Sequence, residues 1–352
     1  MSQITITQHT VPRKYLQAWA SNNKIAARIG TDVKNSVPLK SIGQEKYFYE
    51  FKDLNYGEVL FVLDYLQKIM LVPSNIIKLH FAPRILPFVL KKILDETFDD
   101  DTQKIIDLLI NRDLIPAHLL KILWLTIDMR EKSNGVIDIA NAPINGWIKN
   151  GEEPVNSCVE RDAWLYLDNA LIGDLSFFSD ESSAEKFMLY MAHQLCRTKK
   201  SVLGAKAAFK KLIGIRGDNI FSYLRLPMIY NIHNGLCAKF NEYQLMEINN
   251  NTDLEFITGD QPILNLDRRN PAEFFHLYFP ISPKRALLLC KKERAEKNYC
   301  NIDENDRDAV DSFNRLICNV STREVYASNA QVLEANNYVA GMELCSGATR
   351  SL

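Results

Sequence analysis

The chain has 352 residues, enough to bury a sizeable core without disulfide or metal staples. Apolar residues make up 47% and charged residues 24%, the balance of an ordinary globular protein, which excludes a disordered or fibrous one. A formal net charge of −1 exerts no global pull toward nucleic acid or anionic lipid, so any polyanion site must be local.

The amino terminus lacks the basic-then-apolar pattern of a signal peptide. From Val11 to Ala20 the pattern reads as a short helix, with Pro12 suited to its first turn and Tyr15, Leu16 and Trp19 on one face. Ile25 to Arg28 reads as a strand, and Tyr47 to Phe51 as a strand or a helix entry. Helical periodicity follows over Gly57–Met70, Arg84–Leu94, Thr102–Ile110 and Pro116–Arg130. The acidic run from Asp95 to Asp101 falls between two of these and reads as a solvated loop. Asn134 to Val155, rich in Asn, Gly and Pro, reads as punctuation. It suggests a division into 1–150 and 151–352, with one continuous domain as the alternative.

Beyond it, Asp162–Leu167 and Ala170–Phe178 read as strand or irregular segments. A helix is expected from Ser183 to Lys199, capped by Ser182 or Ser183, and another from Pro227 to Phe240. Short strands then dominate: Gln244–Ile248, Leu254–Thr258, His276–Phe279 and Ala286–Cys290. A helix over Glu304–Ile317, a strand over Glu324–Ala327 and a helix over Ala330–Asn336 close the chain. The expected class is α+β, helix-rich in its amino-terminal and central part, with a small, mainly antiparallel sheet contributed largely by the carboxy-terminal third.

The seven cysteines (Cys158, Cys196, Cys237, Cys290, Cys300, Cys318 and Cys345) form no Cys-x-x-Cys pair and have no His at zinc-finger spacing. Their odd number points to a reducing cytoplasm. The longest apolar stretches, such as Leu119–Ile127, fall far short of about 20 residues, so no membrane span is expected. No Walker phosphate loop, Gly-x-Gly-x-x-Gly, Gly-x-Ser-x-Gly or His-Glu-x-x-His occurs, which demotes the NTPase, dinucleotide, serine-hydrolase and zincin classes.

Several polar residues stand where chemistry could use them. His9 and Arg13 flank a helix start and could face an anion there; alternatively Arg13 pairs with a carboxylate and His9 packs. Gln194 lies on the otherwise apolar stripe Phe187, Tyr190, Met191, with His193 and Arg197 beside it, serving either an internal network or a pocket. Asp260 follows an apolar run at a strand end, a place for a working carboxylate or for one that only accepts backbone hydrogen bonds. Asn314 sits near the buried stripe Val310, Phe313, Ile317. From Arg197 to Arg216 the residues Lys199, Lys200, Lys206, Lys210 and Lys211 run without an acid, as a polyanion face or a plain amphipathic helix.

Five of these pieces together resemble the bacterial family known as domain of unknown function 4238. They are His9-Thr-Val-Pro12-Arg13-Lys-Tyr15-Leu16, Tyr47-Phe-Tyr49, Gln194-Leu-Cys-Arg197-Thr198, Phe256-Ile-Thr-Gly-Asp260-Gln-Pro262, and Phe279-Pro-Ile-Ser282-Pro283 with Asn314 and Tyr326-Ala327. The chain departs from the expected pattern at Gly259 and Gln261. The resemblance implies membership and a bacterial setting; it supplies no mechanism.

On chemical grounds the leading expectation is a phosphodiester-cleaving enzyme, RNA before DNA, in a toxin or anti-phage role. His9 would act as base or acid, and Arg13 and Arg197 would stabilise the developing charge. Asp260 would orient His9 or hold a divalent metal such as Mg2+. Gln194, Asn314, Lys199, Lys200 and Lys206 would hold the substrate, and an antitoxin or defence-complex protein is a candidate partner. The rival is a non-catalytic sensor that binds a nucleotide or a protein. A third expectation is a transferase or hydrolase acting on a small phosphorylated metabolite.

Overall fold

The computed structural model describes residues 7–70, 72–132, 137–213, 217–267, 275–294 and 301–342. Arg216, Cys300 and Cys345 lie outside them. The chain forms two compact units, each assembled from separated stretches. One takes Met1–Gln8, Lys46–Asn156 and Ala205–Asn231; the other takes His9–Glu45, Ser157–Gly204 and Ile232–Leu352. The class is α+β.

The first unit is helical, with Tyr56–Asp64 continuing as a π turn over Tyr65–Ile69, then Ser74–His80, Ala82–Leu94, Asp100–Asn111, Ala117–Lys132 and Ile137–Asn150. Asn55 and Glu58 close a reciprocal capping box at the first of these, satisfying two otherwise orphan backbone donors. The acidic run is not a plain loop. Asp99 accepts the Thr102 amide at 2.8 Å and caps the next helix, and Asp100 and Asp101 occupy its first turn, where negative charge favours the helix. The expected punctuation over 134–155 is also largely helical, because Ile144 and Ile148 bury their side chains and outweigh the cost of Pro143 within the helix.

Eleven strands occur among the described residues: β1 Thr7–His9, β2 Lys24–Ile29, β3 Asp32–Pro38, β4 Gln44–Lys46, β5 Tyr243–Asn250, β6 Thr258–Gly259, β7 Leu264–Asn265, β8 Leu277–Ser282, β9 Arg285–Lys291, β10 Asn301–Ile302 and β11 Glu324–Ala327. β1 pairs with β4. In the second unit, a five-stranded sheet runs β10-β5-β9-β8-β7 and a four-stranded sheet β3-β2-β11-β6. All the pairs in these two sheets are antiparallel except β10 with β5. The helix Arg307–Val320 presents Val310, Phe313 and Ile317 to a core that also contains Phe256, Tyr278 and Val325; Phe313 stacks on Tyr278 at 4.5 Å.

Three expectations need correction here. Asp162–Leu167 is neither strand nor irregular: Val159, Ala163, Tyr166, Leu167 and Ala170 recur at helical spacing and are buried on one face of Glu153–Leu171, while the rest of Ala170–Phe178 is irregular, ending in a short 3-10 turn over Ser176–Ser179. The helix expected at Ser183 spans Glu181–Cys196, and its cap is Asp180, which accepts the Ser183 amide at 2.9 Å. Of Leu254–Thr258 only the last residue is in a strand. The Asn314 side chain accepts the Ile257 amide (3.0 Å) and donates to the Glu255 carbonyl (2.9 Å), replacing a sheet ladder.

Candidate functional site

The segment His9–Leu16 with Trp19 is first of all an anchor. Val11, Tyr15, Leu16 and Trp19 are buried, and the Tyr15 ring stacks on Phe279 with centroids 5.0 Å apart. The Tyr15 hydroxyl donates to the Pro280 carbonyl (2.7 Å), so the Thr258 hydroxyl, 2.6 Å away, donates to it in turn. The Trp19 indole donates to the Phe256 carbonyl at 2.8 Å. The helix carrying Arg13 is only Arg13–Leu16, one turn long. Its dipole is too short to draw an anion, so the expected helix-terminus site at His9 and Arg13 is replaced by the side chains alone. Arg13 itself is exposed and forms no ion pair among the described residues.

Arg197 is 1% exposed and ties three segments together. Its Nη1 pairs with Glu160 and its Nη2 donates to the backbone carbonyl of His9. Such a buried cation needs both partners, because an uncompensated charge in this setting costs several kcal/mol. The same placement acts on the His9 imidazole, whose pKa is pushed down to about 4. Burial is the main cause, followed by the Arg13 and Arg197 charges, against a hydrogen bond with the Ile42 backbone. His9 is thus neutral at pH 7, able to accept a proton and unable to supply one. The acid role is thereby removed at that pH, and the same lowering weakens the imidazole as a base.

One turn before Arg197, Gln194 is fully buried, and neither its amide oxygen nor its amide nitrogen has a partner among the described residues. Gln261 closes the frame from the other side, accepting from the Thr198 hydroxyl and donating to the Ile263 carbonyl at 2.7 Å. Its neighbour Asp260 turns elsewhere. Oδ1 accepts the Thr322 amide (2.7 Å), while Oδ2 accepts the Thr322 hydroxyl (2.6 Å) and the Arg323 and Glu324 amides (2.8 and 3.2 Å). Three donors crowd Oδ2 and one meets Oδ1, so Asp260 holds the start of β11, and none of these bonds runs to His9. Among the described residues no cluster of His, Cys, Asp and Glu could hold a metal ion.

Asn314 is likewise spent on the 255–257 segment and on the Tyr338 hydroxyl at 3.2 Å. Lys199 pairs with Glu45 at 2.5 Å, and Lys200 donates to the Asn319 carbonyl at 2.9 Å. Lys206 forms no ion pair among the described residues. Of the nine residues singled out from sequence, the structure therefore brings together His9, Arg13 and Arg197, with Gln194 one turn away. Asp260 and Asn314 serve the frame. Glu160, the counter-ion of Arg197, was missed because it falls between the punctuation that ends at Val155 and the segment that starts at Asp162, where no element was expected; it lies on the helix Glu153–Leu171 and meets Arg197 from a separate helix. The buried Tyr190 hydroxyl, pushed up by burial and by the Glu160 charge, stays protonated.

Among known proteins, no curated protein and no solved structure matches the chain. Residues 159–331, which carry Glu160, Gln194, Arg197, Asp260 and Asn314, match the family described as "Protein of unknown function (DUF4238)". Over these residues the chain belongs to that family.

Proposed function

We propose that the chain is a recognition module for a phosphate-bearing partner, RNA before DNA, engaged at Arg13 with His9 beside it. The observation that carries this reading is an exposed guanidinium without an ion pair among the described residues, on a short helix whose other face is bolted to the sheet through Tyr15 and Trp19. A cation held in this way loses little freedom when it meets a phosphate oxygen. The surrounding polar residues support the pair: Arg197 holds the His9 backbone, and Gln261 and Asp260 hold the loops behind it. The setting in bacterial toxin or anti-phage responses, with an antitoxin or defence protein as a partner, rests on the family resemblance.

Fluorescence anisotropy with single-stranded RNA and DNA of matched sequence tests the reading. Arg13→Ala should weaken RNA binding and flatten the salt dependence by about 0.7 in log–log slope, the value for one phosphate contact on a single strand. Equal binding by wild type and Arg13→Ala at every salt concentration rules it out.

A second reading has one observation in its favour, the neutral His9 imidazole near two guanidinium groups. That is a base beside charge stabilisers, as metal-independent RNA cleavage requires: His9 would take the 2′-hydroxyl proton and Arg13 would meet the developing charge. Cleavage of labelled RNA that survives chelator and disappears in His9→Gln, with binding retained, would favour it over recognition alone.

A further inference from the structure

The helix Ala117–Lys132 carries apolar side chains on two opposite sides. Leu119 and Leu123 are buried where it packs on Ala82–Leu94. On the other side Trp124 and Leu125 stand 53% and 50% exposed, in a shallow, open depression completed by Ala117, Leu120, Lys121 and Asp128. A patch centred on an exposed Trp has the composition of a contact surface, where Trp supplies much of the binding energy.

The charges that flank the patch say what covers it. Lys121 lies three residues before Trp124 and Asp128 three after Leu125, and both are exposed. They share one side of the helix two turns apart, about 10 Å along its axis, too far to pair with each other. A second copy laid antiparallel on this side, with a two-fold axis passing between Trp124 and Leu125, brings each Lys121 opposite Asp128 of the other copy. The same axis gathers both Trp124 rings and both Leu125 side chains. The patch is thus complementary to itself, as an isologous contact requires. Lys121 forms no ion pair with any described residue, and a formal net charge of −1 puts almost no repulsion between copies.

The same order of basic residue, Trp-Leu and Asp recurs over 161–168 of the helix Glu153–Leu171, where Trp164 and Leu165 are also exposed. There the charges are already engaged within the chain, Asp168 with Lys14 at 2.8 Å and Arg161 with Asp162 at 3.2 Å, so that side offers a second copy less.

We propose that the chain forms a symmetric dimer through the exposed side of Ala117–Lys132, each copy covering the other's Trp124 and Leu125. A helix of 16 residues is about 24 Å long and about 10–12 Å wide. Its face is smaller than the roughly 800 Å² per copy of a standard complex, so the dimer is reversible, with dissociation in the micromolar range.

Sedimentation velocity on the full chain from about 1 to about 300 μM tests this. The wild type should pass from monomer to dimer over that range. Trp124→Glu should stay monomeric with an unchanged circular dichroism spectrum, because the side chain that it replaces is exposed. Lys121→Glu and Asp128→Lys should each weaken the dimer by about tenfold or more, since each turns two attractive contacts repulsive. The double variant Lys121→Glu/Asp128→Lys should return to within about threefold of the wild type, and an equimolar mixture of the two single variants should dimerise likewise. If Trp124→Glu does not fold, the exposed charge variants decide alone. A wild type that is monomeric at about 300 μM would overturn the proposal. So would a dimer unaffected by folded Trp124→Glu, one broken by Trp164→Glu, one indifferent to the single charge reversals, or a loss in them that the double variant does not recover.

Discussion

Replacing Asp260 distinguishes a working carboxylate from an anchoring one. In Asp260→Ala three backbone amides, those of Thr322, Arg323 and Glu324, and the Thr322 hydroxyl all lose their acceptor at once. Hydrogen bonds to a charged acceptor contribute about 1.5–3 kcal/mol each, but the four share one side chain and sit where water can partly replace it. A total near 3 kcal/mol is expected, which for a unit of this size lowers the melting temperature by about 6–12 °C. Asp260→Asn retains the shape and turns one oxygen into a donor. The amide is best placed opposite the single Thr322 amide, so about 1–2 kcal/mol is lost instead. Urea unfolding followed by circular dichroism, with the m-value checked for constancy, measures both. RNA affinity of the folded variants, taken below their melting range, should stay within about twofold of the wild type. A melting temperature within about 2 °C of the wild type in Asp260→Ala, together with abolished binding or cleavage, would refute the anchoring role.

His9 has a folded pKa near 4, below the ordinary 6.5, so between these values the unfolded chain takes up a proton that the folded one refuses. The stability linked to His9 is complete above pH 6.5 and falls as pH drops toward 4, by about 1–2 kcal/mol once partial exposure is allowed for. His9→Gln keeps the carbonyl that Arg197 holds and should remove this part of the pH dependence; parallel stability curves for the two proteins would show the imidazole to be unperturbed. Gln194→Met should raise the melting temperature, because it replaces a buried amide that has no partner among the described residues with an apolar group of similar length, worth about 1–2 kcal/mol. A fall would mean that the amide is satisfied after all. Gly259→Ser should destabilise, because a Cβ there would lie 2.1 Å from the Ser321 hydroxyl oxygen and 2.9 Å from the Glu324 carbonyl oxygen. Adding Ser321→Gly should recover part of the loss, and thermal melts of the single and double variants compare them.

The long periodic helices and the strands with regular alternation were legible because their patterns repeat within a few residues. Arg84–Leu94, Glu324–Ala327 and Ala286–Cys290 all fall within elements that the structure contains. What failed to show was anything decided by distant partners. β3 carries a largely exposed, polar pattern with no alternation to reveal it, and exists because β2 pairs with it. The helix Gly217–Cys237 runs through Pro227, which reads as a helix start. The site behaves in the same way. Gln194, Arg197 and Asp260 stood out in the sequence because polar atoms near apolar runs need partners. Whether those partners are ligands or the chain itself depends on contacts 60 to more than 180 residues away, such as Asp260 with Thr322 and Arg197 with His9.

The bolt at Tyr15 and Trp19 also bears on the order of synthesis. Tyr15 reaches a carbonyl 265 residues downstream and Trp19 one 237 downstream. At ribosomal rates of about 5–20 residues per second, the signature segment waits roughly 15–50 s before its acceptors emerge. For that interval Val11, Tyr15, Leu16 and Trp19 are a sticky apolar stretch without a berth. A chaperone that holds nascent apolar segments should therefore raise the yield of folded chain more than it would for a protein whose helices pack on their nearest neighbours.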